Sequence, residues 1–382
     1  MRLSKYPLIW IILLFFSSCI EEYTPDIDDE DTGLYVVQGR VTDLDGFQTI
    51  SVTRSSAIND PEVIPVAGCN VKIVNDQEDE FPGIPTNPGE YQVYIDPAFL
   101  TDGAAFMLEV ITPEGDVLRS DFDTLRPCSD IDSVYYTIEE FVTDDPEENI
   151  PGIQFYIDFD GTDIPTRKIK FEIEETWKYQ VEYPIQWTWD GRRLTTYAPP
   201  DYSKYTCWKT TNTGTIYTLT TEHLNANVFR KFPLHNILNN SNKLLMGYSI
   251  LFRQLAIADP VYDYFEKIKD NVLDNGGLYE TQPQQIEGNM SNLTNPDTRV
   301  LGYFYAAGAR QQRIFISEIE GLELNPADFC EPIPLDLGYG FLRNLSEPVY
   351  LLLEEGQYLL DEMCVDCTAW GGVTERPDFW PE

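Results

Sequence analysis

The segment Leu34-Tyr35-Val36-Val37-Gln38-Gly39-Arg40-Val41 begins a series of short runs that are rich in Val, Ile, Tyr and Phe. Apolar and polar residues alternate within these runs, and turn signals such as Pro113-Glu114-Gly115 separate them. The further runs are Thr49–Arg54, Asn70–Val74, Glu90–Ile95, Phe106–Ile111 and Val117–Phe122. Several short strands at a spacing of about ten residues, with no helical period between them, predict a β-sandwich over residues 34–126.

The remainder of the chain, residues 127–382, contains further strand-like runs. Strands are predicted at Ile153–Phe159 and Lys168–Tyr179. Asp190-Gly191 is a favoured two-residue turn and predicts a hairpin between residues 186–190 and the strand that follows.

Helical signals are confined to one region of this second part. Asp259 is a good N-cap and Pro260 suits the first helical position, so a helix is predicted over residues 260–273. A second short helix is predicted around residues 251–256. We therefore expect a mainly β fold of the β-rich α+β type, in which a β-sandwich precedes a larger β-rich domain with one or two helices.

The N-terminus has the pattern of an export signal that ends at a cysteine. Arg2 and Lys5 precede an apolar run over residues 8–16, which is less than half of the ~20 residues needed to span a bilayer. The residues that lead to Cys19 resemble a bacterial lipobox. We predict a lipoprotein signal peptide at residues 1–18 and lipidation of Cys19, because two or three acyl chains hold a protein at a membrane. An ordinary signal peptide with an incidental cysteine is the alternative.

An acidic tether is predicted over residues 19–33. Its acidic residues are Glu21, Glu22, Asp26, Asp28, Asp29, Glu30 and Asp31. A block of like charge repels itself and stays extended, so a solvated tether is one interpretation. Acidic residues after a lipidated cysteine also resemble the surface-export signal of Bacteroidota lipoproteins, which implies a location on the outer membrane, facing the cell exterior.

The chain is strongly acidic overall. Its 382 residues include 64 Asp and Glu against 26 Lys and Arg, for a net charge of −38. Contacts to phosphate need a basic patch, so nucleic acid is excluded as a partner. The same charge disfavours flat binding to anionic lipid. Because 42% of the residues are apolar and 13% aromatic, the chain can still build packed cores.

Cysteine usage favours disulfides. Six cysteines remain after Cys19, an even number that is typical of a disulfide framework in an exported protein. The candidates are Cys69, Cys128, Cys207, Cys330, Cys364 and Cys367. We expect the C-terminal cysteines to pair with Cys207 and Cys330 and so tie the tail to the second domain. The spacing of Cys364 and Cys367 also fits half of a zinc site, but no second such pair accompanies it, and we predict no metal.

Motifs of catalytic chemistry are absent from the sequence. It contains no GxSxG elbow, HExxH, Walker loop or dinucleotide fingerprint, and only two histidines, His223 and His235. Paired carboxylates of the glycosidase kind stay open, because 64 acidic residues offer too many pairs to choose among. Asp158, Asp160 and Asp163 fit either a calcium loop or a β-turn with solvent-facing acids. We predict no catalytic residue and no cofactor.

One stretch, residues 177–208, favours ligand binding. Its nine aromatic side chains bring rigid area that stacks on sugars or peptides at low entropic cost. Each of them could instead pack against the core, but nine exceed what one hairpin buries. We therefore predict an exposed binding patch that includes Trp177, Tyr179, Tyr183, Trp187, Trp189 and Tyr197.

Two resemblances to known families add to this interpretation. Residues 37–43, 66–71 and 89–91 resemble the regulatory-like sandwich of carboxypeptidases and transthyretin-like modules. This resemblance implies an Ig/transthyretin-like scaffold over residues 34–126 that carries no chemistry of its own.

The second resemblance covers essentially the whole mature chain. Six blocks carry it, and they are residues 130–136, 207–208, 276–279, 286–289, 300–304 and 364–380. Together they resemble a Bacteroidota lipoprotein family catalogued as domain of unknown function 4249 (DUF4249). The family resemblance implies an outer-membrane lipoprotein, often encoded beside TonB-dependent transporters. It implies no catalytic residue, since no activity is established for the family.

Three functions compete on this evidence. The first is a non-enzymatic surface lipoprotein that works as an accessory or ligand-capture component of a TonB-dependent transporter barrel, with a glycan or a peptide as ligand. The second is a surface hydrolase of glycans or peptides. The third is an adhesin-type binding module. The missing catalytic motifs and the two histidines favour the first function over the second.

Overall fold

The structure of the protein is a computed structural model that describes residues 32–57, 61–142, 149–273, 286–327, 329–335, 348–353 and 356–381. The predicted signal peptide, Cys19, all seven acids of the tether and the block at residues 276–279 lie outside the described residues. Within these ranges no helix combines the length and apolar character needed to cross a membrane.

The chain is mainly β, as predicted. Strands β1 to β9 are Tyr35–Thr42, Phe47–Arg54, Ile64–Pro65, Asn70–Asn75, Glu80–Asn87, Glu90–Tyr94, Ala105–Ile111, Val117–Ser120 and Asp123–Thr124. Strands β10 to β18 are Ile131–Val142, Asn149–Asp160, Lys168–Gln180, Ile185–Trp189, Leu194–Asp201, Thr206–Asn212, Tyr217–Thr220, Val228–Leu238 and Tyr248–Ala256. Strands β19 to β24 are Met290–Asn292, Val300–Leu301, Phe304–Ile316, Ile333–Pro334, Val349–Leu352 and Tyr358–Leu360.

One α-helix, α1, is present among the described residues and spans Asp259–Leu273, which confirms the predicted helix. The second helix predicted around residues 251–256 is wrong, because this segment is the end of β18. Eight of the nine residues of β18 are buried, so the sequence lacks the alternation that marks a strand with one solvated face. Four short 3₁₀ helices are Pro97–Phe99, Asn242–Leu244, Glu362–Cys364 and Cys367–Trp370.

Among the described residues, sixteen strands form one continuous sheet that joins the two halves of the chain. Its main path follows the order β15, β12, β18, β21, β1, β2, β6, β5, β4, β7, β8 and β19. The connection between the halves is made by β21, which runs parallel to β1 with Phe304 opposite Gly39 and Ala307 opposite Thr42.

The two largest hydrophobic cores of the described residues lie along this sheet. The first is built from strands β1 to β8, with members such as Val37 and Phe106, but it also contains Met290, Val300 and Phe304 from far along the chain. Residues beyond the predicted boundary at 126 therefore complete the N-terminal core. The buried area of these apolar side chains is the main stabilising contribution to this part of the fold.

The second core lies between the large sheet and a three-stranded sheet of β10, β11 and β17. Phe155 of β11 packs 5.8 Å, ring centroid to ring centroid, from Phe252 of β18. Phe171 of β12 packs 5.7 Å from Phe232 of β17. Two facing sheets with interdigitated aromatic rings give this half a layered core.

The C-terminal tail is tied to the second half by disulfides, as expected. Cys207 bonds to Cys367, and Cys330 bonds to Cys364. The expectation of a disulfide does not hold for the other two candidates, Cys69 and Cys128, whose thiols are free. Cys69 packs against the first core whereas Cys128 is buried in the second, so the two thiols belong to different parts of the fold.

Candidate functional site

An aromatic cavity of about 210 Å³ opens beside the end of β12. Four aromatic residues line it, and they are Trp177, Tyr179, Phe329 and Trp370. Leu245 and Met246 add apolar surface and are 44% and 39% exposed. Apolar walls with few polar groups are the usual composition of a small-molecule site. We refer to this site as the aromatic cavity.

Strand β12 supplies two of these walls because of its period of two residues. Phe171, Ile173, Glu175, Trp177 and Tyr179 follow one another on one face of the strand. The first two are buried in the second core, and the face leaves that core at Trp177, which packs against its edge. The rings of Trp177 and Tyr179 are thus fixed on a strand whose residues Phe171 and Ile173 are anchored in the second core.

The disulfide-tied tail closes the cavity from the other side. The Tyr179 hydroxyl donates a hydrogen bond of 2.6 Å to the carbonyl oxygen of Cys367. Lys209 Nζ donates to the carbonyl oxygen of Trp370 at 2.6 Å. The Trp370 ring lies edge-on to Phe329 at 4.9 Å between centroids, and its Nε1 donates to the Met363 carbonyl oxygen. These contacts hold the tail and its tryptophan in one position.

The buried carboxylate of Glu175 binds Lys243, one of the residues that line the cavity. Glu175 is 2% exposed. Its Oε1 accepts hydrogen bonds from Tyr248 at 2.7 Å and from His235 at 3.0 Å, and its Oε2 accepts one from Lys243 at 2.7 Å. Burial alone would raise the pKa of Glu175, but the hydrogen bonds from His235, Lys243 and Tyr248 and the electrostatic attraction of His235 outweigh it and lower the pKa to about 2. Glu175 is therefore an anion that fixes Lys243.

Two lysines lie over the face of one ring of the cavity. Lys243 Nζ is 5.0 Å and Lys209 Nζ 5.9 Å from the centroid of the Trp177 ring. Each ammonium is also held by an oxygen, of Glu175 for Lys243 and of the Trp370 backbone for Lys209. Cation–π contacts of this kind fix the orientation of the indole ring.

Polar groups that could hydrogen-bond a ligand come from one short segment and one strand end. Ser241, Asn242 and Gln180 line the cavity. Within the described chain, Asn242 Oδ1 is buried and has no hydrogen-bond partner. A buried acceptor without a partner is costly, so this oxygen is an unsatisfied polar group beside the cavity.

The lining has the composition of a binding site. Its described residues contain aromatic, apolar, amide, hydroxyl and ammonium groups, and no carboxylate or imidazole. His235 and Glu175, which could form an oriented base, bind each other beneath the cavity. The titratable groups of the lining are each held by a hydrogen bond, Tyr179 to the Cys367 carbonyl, Lys209 to the Trp370 carbonyl and Lys243 to Glu175. The geometry therefore supports stacking and hydrogen bonding of a ligand.

The six residues of the predicted binding patch lie in different places. Trp177 and Tyr179 line the aromatic cavity. Tyr183 packs on a small cluster with Ile185 and Tyr350, and Trp187 and Trp189 pack against Val349 and Leu351. Tyr197 is 36% exposed on β14. Trp187 and Trp189 belong to β13, which pairs with β23 and so joins the hairpin β13–β14 to a five-stranded sheet.

Sequence reasoning missed most of the cavity. Lys243, Met246, Phe329 and Trp370 come from three separate segments that only the folded chain brings to β12. The disulfide pairing was the one signal that could have located Trp370. Cys367 lies three residues before Trp370 and bonds to Cys207 on β15, the strand beside β12. Glu175 had no distinguishing pattern among 64 acidic residues.

The remaining sequence candidates do not form a site. Asp158 and Asp160 lie beside Arg230, which forms ion pairs with Asp160 and with Asp132. Asp160 also accepts hydrogen bonds from the backbone and hydroxyl of Thr162, as expected for a β-turn. Across the described ranges, no group of three or more His, Cys, Asp or Glu side chains is placed to hold a metal ion.

Comparison with known proteins gives one family match. The family model described as Domain of unknown function (DUF4249) matches residues 20–313. No curated protein matches the sequence. Among solved structures, the chain is similar to a DUF4785 family protein from Legionella pneumophila, with 8% identity and a TM-score of 0.16. That match covers 57% of this chain and 51% of the other, so the chain spans about half the length of that structure.

Proposed function

The chain belongs to the DUF4249 family, and we propose that it is a non-enzymatic lipoprotein of the cell surface that captures a ligand for a TonB-dependent transporter. The observation that carries the capture role is the aromatic cavity, which two disulfides and the buried Glu175 hold in a fixed shape. A preorganised cavity loses little conformational entropy when a ligand binds, so it favours affinity.

The ligand that suits the cavity best is a neutral saccharide. Trp177 and Trp370 offer planar apolar faces of the kind that stack on sugar rings. Ser241, Asn242 and Gln180 line the cavity and supply acceptors and donors for hydroxyl groups. A volume of about 210 Å³ fits one or two sugar rings in contact with the walls.

The predicted anchor and tether support the location. Lipidation of Cys19 would fix the chain at the outer membrane of a Bacteroidota cell, and about 15 residues separate it from β1. At ~3.3 Å per residue an extended tether of that length reaches up to ~50 Å. That reach is enough for the folded body to lie over the mouth of a transporter barrel in the same membrane.

The capture role is tested by measuring saccharide binding to the full-length protein in detergent. We expect Trp370→Ala to lower the affinity for a bound oligosaccharide about tenfold or more, because one stacking wall is removed. Tyr197→Ala is the matched control, since Tyr197 is a partly exposed aromatic residue outside the cavity, and it should leave the affinity unchanged.

Three results would contradict this role. One is a complete lack of binding across a panel of neutral oligosaccharides. The second is preferential binding of peptides in the same cavity. The third is conversion of the added saccharide by the purified protein, which would favour the hydrolase instead.

The surface location has its own test in intact cells. Replacement of the seven acids between Glu21 and Asp31 with Asn and Gln should lower the fraction of protein that an external protease cleaves. Lipidation should be unchanged, because Cys19 is kept. Equal cleavage of the variant and the wild type would show that the acidic residues act only as a tether and are not an export signal.

A further inference from the structure

A second cavity lies on the opposite face of β12, between the sheet and helix α1. It has two lobes of about 310 and 350 Å³ that share Arg40, Lys170, Glu172 and Phe265. Lys170 and Glu172 lie on the even-numbered face of β12, whereas Trp177 and Tyr179 of the aromatic cavity lie on the odd-numbered face. We refer to this second site as the cationic cleft.

Cations outnumber carboxylates in the cationic cleft. Glu172 is shared by Arg40 at 2.8 Å and by Lys170 at 2.7 Å. On the same face of the sheet, Glu174 is shared by Arg253 at 3.3 Å and by Arg313 at 2.6 Å. Each carboxylate neutralises one of its two partners, so a positive charge remains at both positions.

The chain as a whole has the opposite charge balance. The protein has 64 acidic residues and 26 Lys and Arg. The described lining of the two lobes reverses the ratio, with Arg40, Lys170 and Arg253 against Glu172. Most surfaces of such a chain repel anions, but distant charges are screened within about 8 Å at physiological salt, so the local excess decides which ligand is attracted.

Lys170 and Glu172 of the cleft stay ionised. Burial alone would lower the pKa of Lys170, but the neighbouring Tyr305 and Glu172 outweigh it and raise the pKa. Burial would likewise raise the pKa of Glu172, but Lys170 and Arg40 outweigh it and lower the pKa. Lys170 is 9% exposed, whereas the side chain of Arg40 is 36% exposed and within reach of a ligand.

The walls of the cleft fit the body of a ring-shaped ligand. Helix α1 contributes Tyr264 and Phe265, and β21 contributes Tyr305. Lys170 Nζ lies 4.4 Å from the centroid of Phe265, so the ammonium and the ring form one surface. Neutral hydrogen-bonding groups from Thr49 and Ser51 of β2 face the same lobe.

We propose that the cationic cleft binds a small organic carboxylate with a hydroxylated ring, such as a uronic acid. The planar guanidinium of Arg40 can donate two parallel hydrogen bonds to a carboxylate, and Lys170 adds a point charge beside it. The aromatic walls contact the ring, and Thr49 and Ser51 meet its hydroxyl groups. This inference does not rest on the proposed function, because the two sites lie on opposite faces of β12.

The test uses the full chain in detergent and calorimetric titration with glucuronate. Glucose is the matched probe, because it differs by a hydroxymethyl group in place of the carboxylate. We expect glucuronate to bind and Arg40→Gln to lower its affinity about tenfold or more, since a charge-assisted hydrogen-bond pair is lost. Arg54→Gln is the control, because Arg54 is similarly exposed and paired with Glu114 outside the cleft. It should change nothing.

A second variant separates binding from folding. Glu172→Gln removes the carboxylate that competes with the ligand for Arg40 and Lys170, so glucuronate should bind about fivefold more tightly, the factor for one charge pair near 4 Å in water. A gain in affinity cannot come from a damaged fold. Trp370→Ala should leave glucuronate binding at the cleft intact.

The proposal is overturned by either of two results. One is that glucuronate, galacturonate and benzoate all fail to bind, or bind no better than glucose. The other is that glucuronate binds but Glu172→Gln weakens or does not change it.

Discussion

Single residues show where the fold tolerates no side chain. Gly302 has φ of +96°, and a Cβ placed on it would lie 2.1 Å from the carbonyl oxygen of Val37. A Cβ on Gly288 would lie 1.7 Å from the carbonyl oxygen of Gly302. The backbone therefore approaches closely at both positions, with Gly302 against Val37 of β1 and Gly288 against Gly302.

We predict that Gly302→Ala lowers the free energy of unfolding by several kcal/mol, because strand β1 must move to admit the methyl group. Gly115→Ala is the matched control. Gly115 has φ of +92° but open space around it, so its substitution should cost only the ~1–2 kcal/mol of the left-handed backbone. Chemical denaturation measures both values. Equal losses for the two variants would contradict the close approach.

Glu175 is the second residue with a measurable role. Its pKa falls from 4.5 to about 2 on folding, which corresponds to about 3 kcal/mol of stability. Because the folded pKa is the lower one, this contribution is fully present above pH 4.5 and is lost as the pH falls from 4.5 toward 2.

We therefore predict that Glu175→Gln lowers the free energy of unfolding by about 3 kcal/mol at pH 7. The difference between wild type and variant should shrink steadily below pH 4.5 in denaturation experiments. Glu318→Gln, at an exposed position, is the control and should change little at any pH. A difference for Glu175→Gln that is independent of pH would contradict the depressed pKa.

Strand β12 is the element that connects the fold to both sites. Its odd-numbered face runs from the second core to Trp177 and Tyr179 of the aromatic cavity, and Lys170 and Glu172 on its even-numbered face line the cationic cleft. Its neighbours on the main path of the sheet are β15 and β18, and β16 pairs with it as well. Because β12 is anchored in the core, the side chains on both of its faces have fixed positions.

The sequence was informative for elements whose pattern is local. Most strands of the first core, β12, the hairpin at Asp190-Gly191 and helix α1 were predicted because alternation, turn residues and caps are visible along the chain. Strand β5 was not predicted, although its Phe81 belongs to the first core. Strand β18 was mistaken in part for a helix, since burial on both faces removes the period of two residues. The aromatic cavity depends on Phe329 and Trp370, whose positions are set by tertiary contacts that no local pattern encodes.

The tail is an element whose attachment can be mapped chemically. We predict that non-reducing mass spectrometry of the full chain finds peptides linked through Cys207–Cys367 and Cys330–Cys364. Cys128 should react with iodoacetamide only after unfolding, because burial raises the pKa of its thiol to about 11. Cys69 is only half-buried and should react first.

A linked peptide that contains Cys69 or Cys128 would contradict this assignment. So would rapid labelling of Cys128 in the native protein.

At the scale of the whole molecule, one sheet unites residues that are far apart in sequence. The pairing of β21 with β1 joins residues 304–316 to residues 35–42, and the first core is completed by residues from the second half. A continuous sheet couples the two halves mechanically, so the two cavities have fixed positions on one body. Such a body suits a role at the mouth of a transporter, where a ligand is held and passed on.

The most direct test of that role is capture of the full-length protein from detergent-solubilised outer membrane, with Cys19→Ala as the control. We predict that the wild type brings down a TonB-dependent transporter barrel in near-stoichiometric amount, and that Cys19→Ala is recovered in soluble form without the barrel. Recovery of the wild type alone, without acyl chains and from the periplasm, would contradict the proposed function.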